Sequence, residues 1–146
     1  MEHLLKEVLR KLFPSQTGKN QIMCFTDLGL PSGTMWATFE VEESFVEGCT
    51  MPTYEQAQEL IEQCDFYITE EPDGTRYMTA KGPNGQFIRF PMRDYDGAPE
   101  SSGCCWCAGG PSADFGYFML LSDVTITIGV GRREIGFPYR MVRAGA

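Results

Sequence analysis

The chain has few of the features that mark several protein classes. It has one histidine among 146 residues, and residues 21–75 contain neither lysine nor arginine. It has no apolar run near the length of about 18 residues that a membrane-spanning helix needs. The first twenty residues interleave charged and apolar side chains, so the uninterrupted apolar stretch of a secretory signal is missing. We therefore expect neither a membrane span nor export.

Charge is unevenly distributed along the chain. The formal net charge is -8, and residues 21–75 hold twelve acidic side chains. An acidic surface repels phosphate backbones, because nucleic-acid affinity comes largely from lysine and arginine. Nucleic acid is therefore not an expected partner, and the acidic block is interpreted as a solvated face.

Chain length sets the expected domain organisation. With 42% hydrophobic residues, the chain is long enough for one domain with its own core, and residues 21–146 are assigned to it. A domain of this size needs neither disulfide bonds nor a structural metal to fold. Residues 1–20 are assigned to a separate helix and tether.

The first segment has the spacing of an amphipathic helix at about residues 2–13, with apolar side chains every three or four positions. This apolar stripe consists of Leu4, Leu5, Val8, Leu9, Leu12 and Phe13. Pro14 ends the helix, and residues 15–20 form a polar tether. A lone helix of this length is marginal in water, so its stripe must dock on its own domain or on a partner chain. The partner chain would be another copy or part of a larger assembly. A membrane surface is a third, disfavoured alternative, because the polar face carries only three basic residues.

The middle of the chain combines short strands with one helix. Thr53 and Gln56 have capping-box spacing, which predicts a helix at about 53–64. Turns are predicted at 71–74 and 82–85. Strands are predicted at 22–25, 35–39, 66–69, 75–80 and 86–90.

Residues 91–116 show no regular pattern and are predicted to form a long ordered loop, because the segment contains aromatic residues that disordered segments lack. Strands are predicted at 115–121, 124–128 and 136–142, with a turn at 129–133. Val124, Ile126 and Ile128 alternate with threonines, as in a half-buried strand. One helix among many antiparallel strands indicates an α+β fold.

Several segments carry a recognisable pattern. Residues 27–38 read DLGLPSGTMWAT, and residues 136–142 read GFPYRMV. The other segments are 51–55 with Leu60 and Cys64, 82–91, 93–97 and Trp106. In this order they resemble the Fibrobacter succinogenes major paralogous domain, a small repeated domain of gut Bacteroidetes that also occurs in their phages. The resemblance covers about residues 22–143, and the first segment is the most specific. Residues 41–48 and 104–107 depart from the family pattern.

The resemblance implies a C-type-lectin-like fold, in which the first and last strands pair and long loops at one end form a variable binding surface. Residues 22–25 would then lie beside residues 136–142, and loops 94–114 and 129–133 would contact a ligand or partner. The candidate binding residues are Asp94, Tyr95, Asp96, Trp106, Asp114, Arg132 and Arg133. For the two arginines, a solvated pair at a turn is the alternative.

Cys104, Cys105 and Cys107 are close enough in sequence to suggest a metal site or a nucleophile. Zinc needs a fourth ligand, and the only histidine, His3, is distant in sequence. We therefore expect buried, reduced thiols, with no metal and no cofactor. A cysteine-dependent enzyme related to formylglycine-generating enzymes is kept as an alternative.

Together these features favour a non-enzymatic recognition or structural module. The expected setting is a phage virion, in an attachment, fibre or decoration role, with the N-terminal helix as the anchor. Its partners would be other chains of the assembly, including copies of itself, and a cell-surface glycan or protein receptor. A second hypothesis is a bacterial cell-surface domain that binds glycans or peptides.

Overall fold

Residues 23–145 are described by the structure, a computed structural model. The predicted N-terminal helix and tether, including the assembly residues Leu4, Leu5, Val8, Leu9, Leu12 and Phe13, lie outside the described residues. The described part contains one α-helix and three antiparallel sheets of three strands each, which is the predicted α+β class.

The elements follow one another in short segments. The strands are β1 (Phe25–Thr26), β2 (Met35–Ala37), β3 (Asp65–Glu70), β4 (Arg76–Lys81), β5 (Phe87–Pro91), β6 (Gly103–Trp106), β7 (Phe115–Leu121), β8 (Ile126–Arg132) and β9 (Val142–Arg143). Helix α1 (Tyr54–Gln63) lies between β2 and β3, and a short 3-10 helix (Arg133–Ile135) follows β8. The sheet orders are β1-β2-β9, β3-β4-β5 and β6-β7-β8.

The first sheet joins the two ends of the domain. Trp36 of β2 lies opposite Thr26 of β1 and Val142 of β9, and both pairings are antiparallel. The expected direct pairing of the first strand with the closing segment is therefore wrong for the described residues, because β2 lies between β1 and β9. Of the first predicted strand, residues 22–25, only Phe25 is in a strand among the described residues, and β1 continues to Thr26.

The capped helix and the hairpin are confirmed. Thr53 accepts a hydrogen bond from the backbone N–H of Gln56, whose side chain accepts one from the N–H of Thr53. Ala57 and Leu60 face the core and are fully buried. In the hairpin of β3 and β4, the N–H of Gly74 donates to the carbonyl of Glu71, as the predicted turn at 71–74 requires.

The predicted irregular loop at 91–116 is wrong at its centre, because β6 lies within it. All four residues of β6 are buried, so the strand lacks the alternation by which half-buried strands are recognised. A β-carbon on Gly103 would lie 3.2 Å from Cβ of Phe90, so a glycine here allows β6 to approach β5 closely. The segment is thus partly a core strand.

The predicted turn at 129–133 is also wrong, because β8 continues through Arg132 and pairs with β7 along its whole length. Glycines at 129 and 131 suggested a turn, but they make room for an aromatic ring. A β-carbon on Gly129 or Gly131 would lie 3.2 or 3.1 Å from Cε1 of Phe118. Val124, predicted to be half-buried, precedes the strand and is 73% exposed.

The closing segment is a strand only at β9, not over 136–142 as predicted. Tyr139 forms isolated bridges with Val41 and Trp106, while Pro138 has no N–H with which to extend a ladder. Between Tyr139 and β9 the chain buries Arg140 completely. This segment forms no regular strand pairing. It is held instead by hydrogen bonds from the Arg140 guanidinium to backbone carbonyls of other segments.

The core has two parts. The larger part lies between α1 and the sheets and includes Trp36, Leu60 and Phe90. The smaller part, here called the aromatic cluster, consists of Cys104, Trp106, Phe118 and Phe137. The aromatic cluster lies beneath the surface to which the predicted binding residues belong.

Candidate functional site

Two adjoining depressions share the ring of Phe137. The first depression has a volume of about 280 Å³, and the second, which is more open, has about 630 Å³. The first is lined by Glu42, Arg93, Tyr95, Trp106, Arg133 and Phe137, among others. The second is lined by Asp96, Phe115, Val130, Arg132, Glu134 and Phe137, among others. Five of the seven predicted binding residues therefore line one depression or the other.

The segment after β5 supplies Arg93, Tyr95 and Asp96, and backbone bonds fix its shape. Arg93 and Ser102 exchange two N–H to carbonyl hydrogen bonds of 2.8 Å. Inside this closed loop, the Asp94 carboxylate accepts the N–H of Ser101 at 2.9 Å. Asp94, predicted as a binding residue, thus holds the loop and does not line either depression.

The aromatic cluster forms the floor of the first depression. The Phe137 ring lies 5.1 Å from the Tyr95 ring at an interplanar angle of 81°, and 4.7 Å from the Trp106 ring. Edge-to-face packing of this kind fixes ring orientations. Trp106 is only 3% exposed, so it supports the depression from below and is not the exposed contact surface that the sequence suggested.

Arg133 reaches the first depression across a surface of glycines. Its Nη2 donates to the carbonyl of Gly109 at 3.4 Å. A β-carbon on Gly116 would lie 2.8 Å from Arg133 Nη1, and one on Gly110 would lie 3.0 Å from Nη2. The absence of side chains at these positions leaves room for the guanidinium beside the backbone. The Arg133 N–H donates to the carbonyl of Asp114, so Asp114 contributes its backbone, and its side chain lines neither depression.

Behind the first depression lies a row of charges that the sequence did not reveal. Arg93 Nη1 is 3.0 Å from Oε1 of Glu40. Burial raises the pKa of the Glu40 carboxyl, although the positive charges of Arg93 and Arg140 oppose that rise. Arg140, which is fully buried, lies 4.3 Å above the Phe90 ring. The charged groups of Arg93, Glu40 and Arg140 thus extend from the depression into the core.

The Tyr95 hydroxyl is a buried polar group in the first depression. Its oxygen makes no well-formed hydrogen bond among residues 23–145, but the Arg93 guanidinium lies beside it. Burial raises the pKa of Tyr95, and the neighbouring Arg93 opposes that rise. Because the oxygen is buried, a ligand in the depression does not reach it.

The second depression is an apolar surface with charges around it. The Arg132 guanidinium lies 5.6 Å from the centre of the Phe115 ring and 3.6 Å from the Glu134 carboxylate. Val130 and Phe115 are both exposed. The ion pair between Arg132 and Glu134 is largely open to solvent, so it contributes little stability of its own.

The three clustered cysteines point to different parts of the core. Successive residues of a strand point to opposite faces. Cys104 therefore packs in the aromatic cluster, whereas Cys105, and Cys107 two residues further on, pack in the larger core. Burial raises the pKa of Cys104 and of Cys107 to about 12, and that of Cys105 further still. At neutral pH all three are therefore thiols. Within residues 23–145, no three His, Cys, Asp or Glu side chains are grouped so as to hold a metal ion.

Sequence reasoning missed several residues of the site. Glu40 gave no signal, because its burial depends on contacts between distant segments. Phe137 and Arg140 stand in the closing segment that carries the family resemblance, and their place there could have indicated a core role. Glu42 stands in a segment that departs from the family pattern.

No family model, curated protein or solved structure matches this chain. The function must therefore be argued from the residues of the two depressions. Among residues 23–145, no helix is both long enough and apolar enough to span a membrane.

Proposed function

We propose that this protein is a non-enzymatic recognition module. The observation that carries this proposal is the convergence of Arg93, Tyr95 and Arg133, from two distant segments, on one depression with a rigid aromatic floor. Ligand sites typically combine an apolar wall with a few fixed polar groups. The buried thiols described above offer no activated nucleophile, which favours binding over cysteine chemistry.

We further propose that the domain is a C-type-lectin-like member of the Fibrobacter succinogenes major paralogous family. Two of the segments that carry the resemblance contact each other, which supports a shared structural role. Asn84 Nδ2 donates to the carbonyl of Asp27 at 2.8 Å, and Gly82 packs on Leu28. The pairing of β2 with β9 joins the first and last of these segments.

The proposed setting is a phage virion, in which residues 1–20 anchor the domain and the depressions face outward. The amphipathic spacing of residues 2–13 supports an anchoring role, as does the polar tether that follows. Other chains of the particle are the proposed partners of the anchor. The depressions would contact a receptor on the host surface.

Deletion of residues 2–20 tests the virion role. Quantitative mass spectrometry of purified particles should detect the full-length chain and at least tenfold less of the truncated chain. Circular dichroism of the truncated protein should show the same unfolding temperature, which separates loss of anchoring from loss of folding. Equal incorporation of both chains would contradict anchoring. Absence of the full-length chain from particles would favour the bacterial cell-surface hypothesis.

A further inference from the structure

The first depression contains hydrogen-bond donors that the fold itself does not use. Arg133 has no carboxylate within 4.0 Å among residues 23–145, although its guanidinium lies close to Gly110 and Gly116 and donates one hydrogen bond to the carbonyl of Gly109. A guanidinium that is positioned but unpaired is suited to a planar anion, since its N–H groups match the two oxygens of a carboxylate. Arg93 lines the same depression, but its charge is balanced by Glu40, which leaves Arg133 as the guanidinium open to an anion.

Tyr95 supports the wall of the depression. Its oxygen is buried and lies beside the Arg93 guanidinium, so it is not exposed to a ligand. The ring of Tyr95 is fixed by its edge-to-face contact with Phe137. The side chain therefore helps to fix the aromatic floor and Arg93 before a ligand arrives.

The remaining lining suits a ring that bears hydroxyl groups. Phe137, Pro138 and Tyr139 form an apolar wall, and the Glu42 carboxylate supplies an acceptor. A volume of about 280 Å³ is just below the range of about 300–1,000 Å³ that is usual for small-molecule sites, which favours a small ligand.

We propose that the first depression binds a sugar that carries a carboxylate, such as a uronic or sialic acid unit of a surface glycan. Arg133 pairs with the carboxylate, and a hydroxyl of the sugar donates to the Glu42 carboxylate. This inference rests on the proposed recognition function. The chain as a whole repels anions, with a net charge of -8, so binding at this depression must come from local contacts.

The test is an amide NMR titration of the full chain with glucuronate, galacturonate and N-acetylneuraminate. At least one should shift the amides of residues 93–95 and 133–137 in a saturable manner. Glucuronamide and galacturonamide keep the sugar and lose the charge, and either should bind at least tenfold more weakly than its acid. N-acetylalanine keeps a carboxylate and loses the sugar, and it should also bind at least tenfold more weakly.

Three variants locate the contacts. Arg133→Gln should weaken binding at least tenfold, whereas Arg132→Gln, which removes the neighbouring charge in the second depression, should change it less than twofold. Tyr95→Phe is a second control and should change binding less than twofold, because the buried Tyr95 oxygen does not touch the ligand.

Three results would overturn the inference. The first is that none of the three acids shifts these amides. The second is equal binding of N-acetylalanine, which would indicate a peptide carboxylate. The third is equal weakening by Arg132→Gln and Arg133→Gln. None of these results bears on incorporation of the chain into particles, so the virion role is tested separately.

Discussion

Gly82 lies against the carbonyl oxygen of Leu28, so closely that a β-carbon at residue 82 would be 2.1 Å from that oxygen. The contact joins two segments that are far apart in sequence, and the hydrogen bond from Asn84 to Asp27 reinforces it. A side chain at residue 82 would have to push the two backbones apart. The contact therefore fixes the turn at 82–85 against the start of the domain.

Gly82→Ala should lower the free energy of unfolding by about 2 kcal/mol or more, because overpacking against backbone cannot relax cheaply. Urea denaturation measures the change. Pro83→Ala in the same turn is the control, and we expect it to cost less than about 1 kcal/mol because Pro83 is exposed. Equal costs for both variants would show that the contact is not tight.

Arg140→Met should lower the free energy of unfolding by about 3–5 kcal/mol, because each buried carbonyl left without a donor costs about 1–3 kcal/mol. The reason is that the carbonyls of Ala37, Thr38 and Arg89 lose their donors inside the core. Arg143→Met is the matched control, since Arg143 is exposed and lies over the Phe25 ring. We expect the control to cost about 1 kcal/mol or less. A small effect of Arg140→Met would mean that water reaches these carbonyls.

Glu40 should make stability depend on pH. Because burial raises its pKa in the folded state, the folded protein holds this proton more tightly than the unfolded chain, in which the carboxyl titrates near 4.5. Stability should therefore fall as pH rises above 4.5, relative to the Glu40→Gln variant, until Glu40 is ionised in the folded state. Urea denaturation of both proteins between pH 4 and pH 8 measures this.

Arg93→Met provides the check on this assignment, since the Arg93 charge opposes the raised pKa of Glu40. In the Arg93→Met protein, the decrease in stability should extend to higher pH. A decrease that covers the same pH range with and without Arg93 would assign the pH dependence to another group.

Labelling with iodoacetamide at pH 8 should separate the cysteines by exposure. Cys24 is exposed and should react in the folded protein, whereas Cys104, Cys105 and Cys107 should react only after unfolding. Peptide mapping by mass spectrometry identifies the modified residues. Faster labelling of Cys104 than of Cys24 would reveal an activated thiolate and would favour the enzyme hypothesis.

Stability should also decrease at alkaline pH. The pKa values of Cys104 and Cys107 are raised to about 12 in the folded state, while thiols of the unfolded chain ionise near 9.0. The stabilisation is therefore complete below pH 9 and is lost as pH rises towards 12. Hydrogen exchange or urea denaturation at pH 8 and pH 10 should show this decrease, and it should be smaller in the Cys104→Ala variant.

Local signals in the sequence were sufficient for some elements. The α1 helix was predictable because Thr53 and Gln56 satisfy each other's backbone groups within one turn. The hairpin was predictable because residues 71–74 form their turn without help from the rest of the chain. Both features depend on neighbours in sequence.

Other elements depend on contacts between distant segments, and the sequence misled there. Gly129 and Gly131 suggested a turn, but they are glycines because Phe118 packs across them. Strand β6 was missed because it is buried on both faces. In the site, Tyr95 and Arg133 were expected in loops at one end of the domain. Nothing in the sequence showed that Phe137 would form the floor between them. Nor did it show that Glu40 would pair with Arg93.

Adsorption of particles to host cells tests most directly whether the first depression is a recognition surface. Particles that carry Arg133→Gln should adsorb at least several-fold more slowly than wild-type particles. Lys81→Gln removes one positive charge outside both depressions and should leave the rate unchanged. Equal incorporation of both variants, measured by mass spectrometry, makes the rates comparable. An unchanged rate for Arg133→Gln, or an equal loss for Lys81→Gln, would contradict recognition through this depression.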